Sequence, residues 1–198
     1  MIARTRSRAS LLTCLALLPA LAQAHPGHGT ATFGLGILHP FTGVDHLLVM
    51  LTIGLWAAQL GGRLRWAVPS SFVLLMLVGA GLAAQNGALA ADLGPVEQGI
   101  AASVLVCGLL LAFAVRLAAP ACVAIAGGFA LLHGYAHATE GAGQADLAAY
   151  VAGFALSTAA LLAAGFGIAV CLARANRLHA LRWTGAAVAL CGAVLLTA

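Results

Sequence analysis

Apolar residues fall along this chain in long blocks separated by short glycine-rich or polar breaks. The first block, Leu11 to Leu21, follows Arg4, Arg6 and Arg8 and precedes Ala22-Gln23-Ala24. A positive lead, an apolar stretch too short to span a bilayer and an A-x-A site together read as a cleaved signal peptide over residues 1–24. An uncleaved anchor helix is the competing reading, and the short apolar stretch weighs against it. Cleavage leaves a mature chain, 25–198, that opens on His25-Pro26-Gly27-His28 outside the cytoplasm, where the two histidines offer a weak metal-capture site. Six further blocks lie near 43–60, 66–84, 96–115, 120–138, 147–172 and 181–197. Each approaches the roughly 20 residues a bilayer-spanning helix needs. The breaks are Gly61-Gly62, the Asn86 to Pro95 stretch, Pro120, the Gly141 to Asp146 stretch, and Arg174 to Arg182. Residues Thr30 to Leu38 are apolar but short. They read as an interfacial helix or a re-entrant lead-in halted at Pro40, whose ring disfavours helix at His39. The expected fold is all-α: a polytopic membrane protein with six transmembrane helices in one bundle after the signal peptide.

Composition agrees with the pattern. The 198 residues are 63% hydrophobic and 7% charged, with mean hydropathy +1.05. A soluble domain is closer to half apolar and a quarter charged. Every basic residue is Arg, and without Lys there is no phosphate-binding P-loop. The arginines are too few and scattered for nucleic-acid binding. The five Cys are isolated in apolar runs with no C-x-x-C pair, so neither a disulfide framework nor a thiolate metal site is signalled. Small residues recur along the helices: Gly79 and Gly81; Gly127 and Gly128; Gly153, Ser157 and Thr158; Gly165 and Gly167. They let membrane helices approach closely and leave a homo-oligomer open.

Arginine sets the orientation. With the mature N-terminus outside and six helices threaded, Arg63, Arg65, Arg116, Arg174, Arg177 and Arg182 all fall in inner connections, as does the signal's own lead. Both mature termini are then expected outside the cytoplasm. Six of the seven His and all five acids then lie at or near the outer face; only His179 is inner.

The chemistry concentrates in two stretches of that outer pole. His39-Pro40-Phe41-Thr42-Gly43-Val44-Asp45-His46 opens the first span, and ionisable groups inside a membrane segment mark function by default. His133 and His137, four apart on one helix face with Glu140 three further on, form a two-nitrogen clamp suited to a divalent metal. The plainer reading is a histidine pair bonded to neighbouring helices. Glu97, in the first turn of the third span, is a further candidate ligand or simply an acid favoured at a helix start. Imidazole plus carboxylate without thiolate suits Ni2+, Co2+ or Zn2+ and argues against Cu(I). Depth along the helices suggests an upper tier of His39, His137 and Glu140, with Glu97 nearby, over a lower tier of Asp45, His46 and His133. Imidazole binds a metal only when neutral, so metal handling is expected to fail as pH drops through the histidine range, near 6.5.

The motifs H-P-x-x-G-x-D-H at His39 to His46 and H-G-x-x-H-x-x-E at His133 to Glu140 resemble the two signatures of the HupE/UreJ family. Ala138 stands where the second signature would carry Gly. The resemblance covers the whole chain, signal and six helices included. It implies a bacterial nickel or cobalt permease that supplies metal for hydrogenase or urease maturation, with a functional link to nickel-enzyme maturation proteins. It implies His39, Asp45, His46, Glu97, His133, His137 and Glu140 as the metal-handling residues, with the metal as substrate and no permanently bound cofactor. The alternative from the residues alone is a zinc-dependent intramembrane hydrolase using the same cluster, for which Ser103 is the nearby hydroxyl.

Overall fold

The computed structural model describes residues 33–85, 94–141 and 146–197. Among these the protein is entirely helical. In chain order the helices are α1 (Phe33–Thr42), α2 (Val44–Leu60), α3 (Leu64–Gln85), α4 (Gly94–Ala112), α5 (Ala119–Glu140), α6 (Leu147–Arg174) and α7 (Leu178–Leu195). The signal peptide and the His25 to His28 capture site lie outside the described residues.

Five helices, α3 to α7, are long and apolar enough to cross a membrane, at 18 to 28 residues each. The first expected span is different. It is α1 and α2 together, bent by 85° at Gly43, so that the pair forms a broken span or a re-entrant loop. The chain is thus a multi-pass helical membrane protein with five spans, or six when the bent pair is one.

Pro40 does not halt α1. It sits inside the helix, which runs on to Thr42, and the break comes at Gly43. A proline ring presses on the carbonyl four residues back, here that of Gly36, in a helix with only two residues left to run. Thr42 closes the last turn by donating its hydroxyl to the His39 carbonyl at 2.7 Å. The third expected span, placed near 96–115, ends at Ala112. Ala114 takes a left-handed conformation, φ 51°, and the Ala114 and Val115 amides fold back on Leu111 and Leu110. That pairing is a Schellman stop, and Asn176 ends α6 in the same way with φ 58°. Asp146 caps α6, its carboxylate accepting from the Ala149 amide at 3.0 Å.

The helices pair closely: α3 on α5, α4 on α7, and α6 against both α1 and α2. Lipid tails are as apolar as leucine, so the pairs are held by close packing and not by expulsion of water. Of the paired glycines in the sequence, only one member does this work. A Cβ on Gly79 would strike the Leu131 backbone and one on Gly165 the Leu51 backbone, whereas Gly81, Gly128 and Gly167 face open space. The core between the helices is lined by Met50, Ile53 and Trp56 of α2, Phe72 and Met76 of α3, Val104 and Leu111 of α4, and Phe154 of α6. A groove of about 640 Å3 between α3 and α6, lined by Arg65, Trp66, Leu162 and Phe166 among others, opens at the arginine end, away from the histidines.

Candidate metal centre

Four imidazoles meet where the C-terminal end of α1, the first turn of α2 and the last two turns of α5 converge. Their rings form a chain: His39 to His137 with centroids 4.5 Å apart, His137 to His46 at 4.2 Å, and His46 to His133 at 4.9 Å. The bend at Gly43 makes this possible, because a straight helix would set His39 and His46 about 10 Å apart along one axis. Gly43 is also small for a local reason. A Cβ there would lie 2.8 Å from His46 Nδ1 and 3.0 Å from Asp45 Oδ1.

Two of the rings are held by one nitrogen and bare at the other. His46 Nδ1 lies 2.7 Å from Asp45 Oδ1, and since a carboxylate only accepts, Nδ1 donates. The same oxygen accepts the His46 backbone amide at 2.8 Å. His133 Nδ1 donates to the Phe129 carbonyl at 2.8 Å, one turn back in α5. In the neutral form of either ring Nε2 is then the acceptor nitrogen, and in both it is buried with no partner. Both nitrogens of His137 are likewise buried without a hydrogen bond, although Glu140 Oε2 stands 3.4 Å from its Nδ1. Buried nitrogens rarely lack partners. Three histidines do so at this one place.

Glu140 Oε2 also pairs with His39 Nε2 at 3.1 Å. One ligand atom from each of His39, His137 and Glu140 lies within 4.8 Å of the others, a spacing at which one ion can touch all three. The carboxylates of Asp45 and Glu140 are each about one-third exposed, whereas His133 and His137 are almost wholly buried. The cluster therefore has a wet, acidic rim and a dry imidazole floor. Among the described residues every ion pair at this end joins a histidine to a carboxylate, with no arginine to cancel the acids.

Six of the seven residues singled out from sequence are thus brought together. Glu97 is not. It is exposed in the first turn of α4, with no hydrogen bond or ion pair to the cluster. Ser103 is also apart, its hydroxyl donating to the Ile100 carbonyl of its own helix. Met50 is core, its sulfur accepting from the Thr158 hydroxyl at 3.4 Å. Aromatic side chains outside the two motifs wall the cluster. Phe154 lies against His137 with centroids 3.9 Å apart, Tyr150 stands 5.8 Å from His39, and Phe72 5.9 Å from His133. A signal existed for the first two: Tyr150, Phe154 and Thr158 recur every fourth residue, marking one face of α6.

A family described as "HupE / UreJ protein" matches residues 12–195 of the chain. "Protein HupE" of Rhizobium leguminosarum bv. viciae is 42% identical over 181 residues, spanning 90% of this chain and 92% of that protein. No solved structure matches the chain.

Proposed function

The chain belongs to the HupE/UreJ family, and from that premise we propose that it is a secondary permease for a divalent transition-metal ion, Ni2+ or Co2+. The observation that carries the proposal is the set of buried, unpartnered imidazole nitrogens on His46, His133 and His137. Neutral imidazole with carboxylate at the rim is the donor set such ions take. His39, His137 and Glu140 would receive the ion and begin to replace its water. His46 and His133, the next rings along the chain, would then take it through Nε2. Asp45 acts on this reading through His46: it fixes the Nδ1–H tautomer and the ring orientation, as carboxylates behind metal-binding histidines do. Delivery of the metal to hydrogenase or urease maturation follows from the family resemblance. Nothing favours the hydrolase reading, since Ser103 is hydrogen-bonded away from the cluster.

The test is metal accumulation against external concentration in cells carrying single alanine variants. His46→Ala and His133→Ala are expected to abolish uptake, and His39→Ala and Glu140→Ala to raise the concentration needed. Normal uptake by both His46→Ala and His133→Ala would sink the proposal.

A further inference from the structure

The buried serine and threonine hydroxyls of the described residues find partners with one exception. Ser103 donates to the Ile100 carbonyl, Ser157 to the Gly153 and Phe154 carbonyls, and Thr158 to Met50 Sδ. Thr52, in the middle of α2 and 1% exposed, has none. A threonine in a helix ordinarily turns its hydroxyl back onto the carbonyl three or four residues earlier. Thr52 does not, and its Oγ1 stays free. Seven residues on, Gln59 holds its Oε1 buried and equally unpartnered. Unsatisfied oxygens in a membrane-spanning core are unfavourable, and valine or leucine would fill the same space without that cost. Stability therefore does not account for the Thr52 hydroxyl, and Gln59, partly buried in the last turn of α2, repeats the orphaned oxygen.

Their placement has a direction. Asp45, Thr52 and Gln59 are spaced by seven, and seven residues turn a helix by about 700°, so the three share one face to within about 20° per step. Each step descends about 10 Å. The opposite face of α2 is closed, because Gly54 is packed on the backbone of Leu162 in α6. Trp56 lies one turn past Thr52 on the same side as the line. Its indole N–H donates at 3.3 Å to the carbonyl of Val115, the neighbour of Arg116 in the α4–α5 connection. The line of oxygens thus starts beside His46 and ends at the arginine-bearing end of the bundle.

We propose that Thr52 Oγ1 and Gln59 Oε1 are waypoints that a divalent cation meets between the histidine cluster and the arginine end of the protein. The inference rests on the permease reading. Hydroxyl and amide oxygens hold late first-row metals more weakly than imidazole. Passage needs sites that bind and also let go, so weak oxygens below strong nitrogens draw the ion onward without trapping it.

The experiment uses the full-length protein purified into liposomes, with initial Ni2+ uptake measured against concentration and Ni2+ binding measured on the same preparations. Thr52→Val and Gln59→Leu are each expected to lower the maximal rate by at least about tenfold, while binding and half-saturation stay within about twofold, the signature of a lost step after binding. Thr52→Ser should recover most of the rate that Thr52→Val loses. Gln59 is only partly buried, so Gln59→Leu carries the test if Thr52→Val does not survive purification. Normal maximal rates in the variants, with normal Ni2+ binding, overturn the waypoints and leave the permease standing. A wild-type protein that neither binds nor accumulates Ni2+ removes the permease reading, and the waypoints with it.

Discussion

At the scale of the residue, the informative atoms are the nitrogens of His46 and His133. Each ring commits Nδ1 to a neighbour and bares Nε2. If Asp45 orients and does not ligate, Asp45→Ala should weaken Ni2+ binding about 10- to 100-fold, the usual cost of losing such a partner, and an acceptor-preserving Asp45→Asn should weaken it less. Equal loss in both, read by calorimetry on purified protein, would make Asp45 a ligand in its own right. Gly43 invites a second test. A methyl group there would press on both partners of the Asp45–His46 pair, and overpacking of this kind costs about 1–3 kcal/mol. Gly43→Ala should therefore lower the melting temperature and shift the uptake curve to higher metal, and a variant unchanged in both would mean the pair relaxes freely. The motif spacings were enough to find six members of this cluster. They could not give the division of labour among them. That depends on which ring nitrogen meets which oxygen, and His133 is steered by a backbone carbonyl that has no signature in the sequence. Glu97 was drawn in by its charge and by its place at the end of a span, a position an acid favours for the helix dipole alone.

At the scale of the element, hydropathy located the five spans α3 to α7, because a run of twenty apolar residues leaves little choice in lipid, but it took α2 alone for the first. It misplaced the one break that matters. Pro40 looks like a stop, yet the turn falls three residues later at Gly43, where the backbone is extended and α2 begins with no side-chain cap. The sequence also hid which face of each helix is inward, since spans that are apolar all round have no amphipathic stripe to read. Helix α5 carries three members of the cluster, and its depth against α3 is set at Gly134. A Cβ there would run into the Met76 carbonyl. Gly134→Val should push α5 outward, separate His133 from His46, and abolish high-affinity binding even though no cluster residue has changed. Gly128→Val, on the same helix but facing open space, should bind as wild type. If the two variants behave alike, the α3–α5 contact does not position the histidines.

At the scale of the whole molecule, the two kinds of charge sit at opposite ends. Arg63 and Arg65 lie at the α2–α3 connection, Arg116 between α4 and α5, and Arg174, Arg177 and Arg182 around the α6–α7 turn. The cluster occupies the other end, where α1 meets α2 and α5 finishes. Arginine is retained on the cytoplasmic side of bacterial spans, and on the proposed permease reading that puts the cluster at the periplasmic face. The bent α1–α2 pair makes this more than a count of helices, since for a fixed N-terminal side a crossing pair and a re-entrant pair set every helix from α3 onward in opposite directions. The orientation from α3 onward therefore rests on the arginines alone. A reporter active only in the cytoplasm should be active when fused after Arg65, Arg116 or Arg177, and silent when fused near Asn86, Gly143 or the C-terminus. Activity at the C-terminus with silence after Arg116 would turn the bundle over. The histidines would then face the cytoplasm, and the protein would be built to gather metal from inside the cell and carry it out.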